Sequence, residues 1–599
     1  MAFSRLHHTL PSFIRFIVIT GILFYSSLFL HADQIKIRFI VTNDVHATVF
    51  AHDFMRNEPH NGSLSRVKSF VDMERAKLGQ NVILLDNGDI LQGQPTGYFA
   101  NYLDTAEFHL FSRILNLMEF DAASVGNHDI ETGPDVYNRI TKELNFPWLA
   151  ANVVDCYSGQ PYFQPYTVIE VEGVRIAILG LTPPSIPIWL PQKLWEGLEF
   201  VDLMEASNYW IDHIQKNEAP DAIIGLFHSG AGELWTPDDY PDHTDNACRY
   251  IAKYVPGFDV IFTAHDHQPY HEFIENITGQ QVLMLGGQPY GLKVAVADLL
   301  FEGGSTERIH RKNMTGSLVE MSGYAPSSTF DSIFQPDFEK VFEYVYDEIG
   351  LLEVELRSRA SFFGSAAFTD FIHQMQLNLT GADISFAAPL SFDVVIPAGK
   401  LTMQDMFNLY RFENYLYMME LSGSEIKDYL EYSYNLWIRT MNGPTDNMLL
   451  LNHIETDDSN GFKEDRLRTK NPFYNFDSAL GLIYEVDLTA EFGHRIRIIS
   501  MQDGAPFIYQ NNYKVALNSY RGSGGGDHLT KGAGIAHEEL KDRIIYVSEK
   551  DLRSHIADYI ISAGNINPKA SNNWKFVPEA WAKEAARRDY KLLFGSDIQ

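Results

Sequence analysis

The sequence predicts an α/β chain of two domains, and two observations lead there. Through the first half, short apolar runs alternate with helix-spaced segments, the order expected of parallel strands joined by crossover helices. Five of those runs stop at Asn, Asp or His: Asp44 and His46, Asp89, Asn127 and His128, His228, then His265 and His267. In a sheet of parallel strands the ligand crevice lies beyond the carboxyl ends, so residues distant in sequence converge there. At 599 residues the chain exceeds what one core supports, which makes two domains the natural division.

Composition narrows the function. With 45% hydrophobic and 21% charged residues the chain is globular rather than disordered or multispanning. Its 78 acidic against 47 basic residues leave a formal charge of -31, which repels polyanions and argues against polymeric nucleic acid as a partner. The two cysteines, Cys156 and Cys248, could pair in an oxidising compartment, and the absence of a CxxC pair argues against structural zinc.

The elements follow in order. Residues 1–32 read as a secretory signal: Arg5 and Arg15 precede an apolar run from Phe16 to Leu30, too short for a comfortable transmembrane span, and Ala32 follows. The expectation is export to the periplasm or beyond, with the mature protein starting near Asp33 and no retained span. Ile35, Ile37, Phe39 and Val41 alternate as a strand that runs into Asn43, Asp44, Val45 and His46. Leu64, Val67, Phe70 and Val71 keep helical spacing, and Val82 to Leu85 is a buried strand ended by DNGD at 86–89. A helix over 107–120 precedes the strand that ends in VGNHDIETG at 125–133, where Gly126 permits a sharp turn. Val174 to Leu181, Ala222 to Phe227 and Val260 to Ala264 are three more buried strands. The first leads into a proline-rich run (Pro183, Pro184, Pro187) with no evident ligand, the others into His228-Ser229-Gly230 and His265-Asp266-His267.

Asp44, His46, Asp89, Asn127, His228, His265 and His267 form a mixed nitrogen and oxygen set without thiolate. Such a set suits Mn, Zn, Mg, Fe or Co. Seven ligands exceed what one tetrahedral ion takes. They suffice for two divalent ions sharing a carboxylate, which clamp the attacking and leaving oxygens of an in-line phosphoryl displacement.

The ordered motifs DVH (44–46), NGD (87–89), GNHD (126–129), HSG (228–230) and HDH (265–267) resemble those of the calcineurin-like metallophosphoesterases. Within them they resemble the bacterial 5'-nucleotidase and 2',3'-cyclic-nucleotide 2'-phosphodiesterase family. The resemblance implies a four-layer metallophosphoesterase domain over 33–325, a linker helix over 326–362, a smaller α+β substrate-binding domain over 363–575 and a tail at 576–599. It implies that Asp44, His46, Asp89 and His267 hold one ion while Asp89, Asn127, His228 and His265 hold the other, with Asp89 bridging. His128 is left free of metal. The family's role for that position is to stabilise charge at the phosphate or leaving oxygen, supported by a carboxylate three residues on, here Glu131, with Asp129 a competing partner.

In the second half, Ser332 to Arg359 reads as a long helix leaving the first domain, and Phe368, Phe371, Ile372, Met375 and Leu379 keep helical spacing, with His373 read as solvated. ADISFAAP at 382–389 reads as a strand, and Ser422 with Glu425 as a capping box. SFAAP (385–389), YRFEN (410–414) and NSYRGSGGGD (518–527) resemble the family's substrate domain. That likeness implies a nucleobase sandwiched between Phe412 and Tyr520, with Asn414, Arg521 and Asp527 as further substrate contacts; apart from it, Arg411 or Arg521 could supply a phosphate contact.

The expected protein is an exported two-metal phosphoesterase acting on small nucleotides, most like a 2',3'-cyclic-nucleotide 2'-phosphodiesterase/3'-nucleotidase. No Arg lies between 382 and 399, where many 5'-nucleotidases that resemble this chain hold the substrate anion, and HDH ends in His rather than Gln. The alternatives are a 5'-nucleotidase or UDP-sugar hydrolase and, from another class, an inactive nucleotide-binding or surface protein. The intact ligand set argues against the last.

Overall fold

A computed structural model of the chain describes residues 34–595 except 105, 305–306 and 458–462. The signal-like segment at 1–32 lies outside the described residues. Five strands carry the site: β1 (Gln34–Thr42), β2 (Val82–Asp86), β3 (Ala122–Ser124), β4 (Ala222–Phe227) and β5 (Val260–Phe262). In one six-stranded sheet β1, β2 and β3 are adjacent and parallel, and Lys293–Gly304 covers the other side of β1 antiparallel. In a second six-stranded sheet β4 and β5 are adjacent and parallel, flanked by Val174–Leu181 and Gln281–Gly286.

Side-chain alternation decides the layers, because successive residues of a strand point to opposite faces. Ile37, Phe39, Val41, Ile83 and Leu85 of the first sheet meet Ile176, Ile178, Ile224, Leu226 and Phe262 of the second in one buried core. Their neighbours Ile40 and Leu84 pack outward on Val67, Phe70 and Val71 of the helix Leu64–Leu78. Ala177, Leu179, Ile223 and Ile261 pack outward on Leu203, Ile211 and Ile214 of the helix Leu203–Asn217. The result is a helix, sheet, sheet, helix sandwich, the four-layer arrangement expected. Its parallel strands all deliver their carboxyl ends to one rim.

The second domain is α+β. Its five-stranded sheet has the order Ser478–Leu480, Ile384–Ala387, Asn512–Asn518, Tyr415–Ser422, Ile544–Asp551. The helix Gly423–Trp437 starts at the capping box: Ser422 Oγ accepts from the Glu425 N–H at 3.2 Å, and Glu425 accepts from the Ser422 N–H at 2.7 Å. Its Tyr429 stacks on Phe386 with ring centroids 4.1 Å apart.

Three expectations are corrected here. The helix read over Ser332 to Arg359 spans Ser328–Tyr346 and then stops, so the linker helix over 326–362 is only half helical. Glu348–Leu352 pairs instead with Gly399–Thr402, and Gly350 presses so closely on Ile560 that a Cβ would lie 2.6 Å from its Cγ2. The tail at 576–599 is not loose through its described part: Trp574–Val577 is a strand, and Glu579–Phe594 is a helix whose Asp589 accepts from the N–H groups of Met448 and Leu449, both at 2.8 Å. His373 is buried rather than solvated, with Nδ1 2.9 Å from Ser385 Oγ and Nε2 3.1 Å from Ser478 Oγ. Cys156 is exposed and Cys248 buried, and both are free thiols, so they do not pair.

Phe39 is fully buried between the sheets, its centroid 6.3 Å from that of Phe262. Phe39→Ala should destabilise the fold by about 3–5 kcal/mol through lost burial and a cavity, read as a lower midpoint in urea unfolding.

Candidate metal centre

Every predicted ligand lies within a few residues past a strand end, and these exits are laced to one another. The Asp44 N–H donates to the Gly88 carbonyl at 3.0 Å and the His46 N–H to the Asp89 carbonyl at 2.9 Å, joining the exits of β1 and β2. Asp129 joins the exits of β2 and β3, its carboxylate accepting from the N–H groups of Asp89, Ile90, Leu91 and Gly126 at 2.8–3.1 Å. At Gly126 a Cβ would fall 2.1 Å from Asp89 Oδ1, which leaves room for no other residue. Asn87 ties in all the rest. Its N–H donates to Thr42 at the end of β1 (2.7 Å), its Nδ2 to Phe227 and Phe262 at the ends of β4 and β5 (2.9 and 3.1 Å), and its Oδ1 accepts from Ser124 Oγ at the end of β3 (2.8 Å).

These exits hold most of the ligands in unusual backbone. Asp44, His46, Asp89, His265 and His267 have φ of 48°, 48°, 58°, 74° and 59°. A residue with a Cβ pays roughly 1–2 kcal/mol for the left-handed region, and strain of this kind concentrates at functional sites.

The donor atoms form two groups. Asp44, His46 and His267 offer ligand atoms within 4.8 Å of one another, and so do Asp89, His228 and His265. Asn127 Oδ1 adds to the second group, 3.0 Å from His265 Nδ1. The chemistry of these donors fits cations. His46 Nδ1 faces the Gln92 carbonyl at 2.9 Å and His228 Nδ1 the Asn87 carbonyl at 2.7 Å. A carbonyl only accepts, so each Nδ1 carries a hydrogen and each Nε2 is the ring atom left to face a cation. His46 Nε2 then faces His267 Nε2 at 2.9 Å, and His228 Nε2 faces Asp89 Oδ2 at 3.0 Å. Contacts of this kind need a proton or a cation between the two atoms. Burial would lower the His228 pKa, but Asp89 outweighs it and raises it to about 10, so without an ion a proton fills that place, and a divalent ion would displace it. Burial pushes the His46 pKa well below its ordinary value and that of His265 down to about 3, which keeps both rings in the neutral, ligating form.

His128 stands apart from both groups. Its Nδ1 is 2.5 Å from Glu131 Oε2, so Glu131 and not Asp129 meets the ring; Asp129 is fully used by backbone N–H groups. Burial would lower the His128 pKa, but Asp89 and Glu131 outweigh it and raise it to about 9.

From His128 a cleft of about 340 Å³ opens between the two domains, lined by Asn127, His265, Phe412, Asn414 and Tyr520 among others. A second cavity of about 320 Å³ adjoins it, lined by His46, His128, His267, Arg411, Phe412 and Tyr474. The two share His128, Phe412 and Tyr474 as walls, so the metal groups and the aromatic rings line neighbouring cavities.

The calcineurin-like phosphoesterase model matches residues 37–269, and the model of the 5'-nucleotidase C-terminal domain matches 348–531. The chain is a calcineurin-like phosphoesterase with a 5'-nucleotidase C-terminal domain. It is therefore a metal-dependent phosphoric ester hydrolase, and divalent ions are its cofactors. It is 27% identical over 91% of its length to the trifunctional nucleotide phosphoesterase protein YfkN of Bacillus subtilis, though it spans only 39% of that relative. It is 24% identical to the 2',3'-cyclic-nucleotide 2'-phosphodiesterase/3'-nucleotidase of Yersinia enterocolitica, over 91% of this chain and 89% of that one. In fold it is similar to the 5'-nucleotidase precursor from Thermus thermophilus, with a TM-score of 0.60 and 20% identity over 91% of this chain and 100% of that one.

In this phosphoesterase two of the expected substrate contacts lie elsewhere. Arg521 is 2% exposed, its Nε and second amino group bound to Asp477 at 2.9 and 3.0 Å and its remaining donors to the carbonyls of Gly525 and Tyr474. It holds the glycine-rich loop rather than facing the cleft. Asp527 pairs with Lys531 at 2.9 Å and is not among the cleft residues. Three residues escape a reading of the sequence. Trp189 lines the cleft and stacks on His265 at 5.6 Å, and Tyr474 packs edge-on against Phe412 at 5.9 Å. Asn87 stands in the sequence only as part of a turn. A Trp directly after the proline-rich exit of a buried strand is the available signal for Trp189.

Asn87→Ala should strip the carbonyls of Phe227 and Phe262 and the hydroxyl of Ser124 of their side-chain partner and loosen three strand ends together, lowering metal content measured by elemental analysis of the purified protein. His128→Ala should keep its metal and lose turnover by about 100- to 10,000-fold, the range for a lost proton-transfer or charge-stabilising group.

Proposed function

We propose that the protein hydrolyses nucleotides, opening 2',3'-cyclic nucleotides and removing 3'-phosphates in preference to 5'-phosphates. The observation that carries this reading is the pair of adjoining cavities that set the two donor groups and His128 beside Phe412, Tyr474 and Tyr520. A phosphate at the donors and a base among the rings match a nucleotide in size and chemistry. The Yersinia relative, named for the cyclic and 3' activities, aligns through both domains.

Asp44, His46 and His267 would hold one divalent ion and Asp89, Asn127, His228 and His265 the other, and Asp89 would be shared with the first. When bound, such ions supply Lewis acidity and charge neutralisation at the phosphoryl group. The chain's own groups do the rest. His128, braced at Nδ1 by Glu131, holds a proton at Nε2 toward the leaving oxygen, and Glu131 supports that protonated ring even when cations draw on the charge of Asp89. Arg411 is exposed, lines the metal-side cavity and would offer a cationic side chain to a phosphate oxygen. Phe412 and Tyr520 offer the base faces rather than hydrogen-bonding edges, which favours tolerance of base identity.

Among the described residues no helix is long and apolar enough to cross a membrane. The signal-like start of the sequence supports a periplasmic or secreted enzyme working on small nucleotides.

Initial rates on 2',3'-cyclic AMP, 3'-AMP and 5'-AMP, at equal subsaturating concentration with Mn, test the reading. The first two should outrun the third, and chelation should abolish all three. Faster phosphate release from 5'-AMP would instead support a 5'-nucleotidase.

A further inference from the structure

The segment Tyr410–Asn414 presents Phe412 and Asn414 to the cleft, yet it is neither helix nor strand. Its conformation is fixed from behind by the start of the helix Leu552–Ala563. The Leu552 N–H donates to the Asn414 carbonyl at 2.8 Å. Arg553 does more. It is 1% exposed, and its guanidinium donates to the carbonyls of Tyr410 and Arg411 at 3.5 and 3.1 Å and to Glu413 Oε1 at 3.3 Å. Its central carbon lies 3.9 Å from the Phe407 ring centroid and 4.9 Å from that of Tyr98, which belongs to the first domain. Tyr98 is itself bonded to Asp551 at 3.1 Å and to Ser554, so the guanidinium is enclosed where the two domains meet.

One buried side chain thus anchors residues 410, 411 and 413 while the ring between them, Phe412, has no bond to the anchor and stays free to face the cleft. The guanidinium reaches none of the metal donors: its partners are the loop's own carbonyls and Glu413, whose side chain is buried but also borders the cleft. We infer that Arg553 is a positioning residue for nucleoside binding, setting the pose of Phe412 and Asn414 through the backbone of 410–414 without contributing to phosphoryl chemistry. This rests on the reading that Phe412 grips the nucleoside. Lysine cannot replace Arg553, because a single ammonium has no planar fork to span two carbonyls and a carboxylate at once. Plain removal of the charge would leave Glu413 buried and unpaired, which threatens the fold itself.

The experiment therefore compares Arg553→Lys, which keeps the charge, and the double variant Arg553→Met/Glu413→Gln, which removes both charges, with Phe412→Ala as the reference. Four quantities are measured in the metal-loaded full chain: KM and kcat for 3'-AMP, the inhibition constant of adenosine, which has no phosphate, and that of inorganic phosphate, which has no base. Both Arg553 variants should raise KM and the adenosine constant by about tenfold, equivalent to about 1.4 kcal/mol of binding. Their kcat and phosphate constant should stay within about twofold of the parent. If Phe412→Ala weakens adenosine while both Arg553 variants leave it unchanged, the positioning role is overturned. A fall in kcat and phosphate affinity as large as the loss of adenosine affinity overturns it too, because the effect would then be general. If Phe412→Ala itself leaves adenosine binding intact, the nucleoside-gripping reading fails, and the role of Arg553 falls with it.

Discussion

The site depends on one buried amide. Asn87 is fully enclosed and bonds to the last residue of each of the four other strands that feed the rim. Two of those strands belong to the other sheet, so Asn87 fixes how the sheets meet as well as where each strand stops. A carboxylate could not substitute, since it cannot donate to the carbonyls of Phe227 and Phe262. Asp129 then gathers four N–H groups from two turns, and these two polar side chains place ligands that are scattered over more than two hundred residues of sequence.

The second domain repeats the device with charge. Arg521 with Asp477, and Arg553 with Glu413, are buried ion pairs behind loops that face the cleft. Burying such pairs costs desolvation that the attraction barely repays. What they provide is geometry: each guanidinium reaches backbone carbonyls as well as its carboxylate, and so ties the cleft-facing segment to the body of the domain. The aromatic rings on those loops are consequently held without being consumed.

The strand exits are legible because their signal is local. Alternation in Ile35, Ile37, Phe39 and Val41 announces a half-buried strand, and a polar stop such as Asp44-Val45-His46 marks its end within a few residues. Function beyond the ligands depends on tertiary partners that no short window contains. Asp129 and Glu131 stand two residues apart and are chemically alike, and only the position of the β2 exit assigns one to backbone and the other to His128. Arg521 reads as a substrate contact because its partner Asp477 is distant in sequence. The stretch after Tyr346 has the composition of a helix, yet pairing with Gly399–Thr402 claims it for a sheet. The terminal helix looks dispensable in sequence, since nothing near Asp589 shows that it caps the backbone at Met448 and Leu449.

The left-handed backbone at Asp44, His46, Asp89, His265 and His267 sets the fold and the function at odds in a measurable way. At each of these positions glycine would sit with less backbone strain than the residue present. Selection for heat tolerance alone would thus be drawn toward erasing the ligands, and only selection for turnover keeps them. A library screened for folding would enrich glycine where one screened for phosphate release would forbid it, and the divergence between the two would mark out the rim residue by residue.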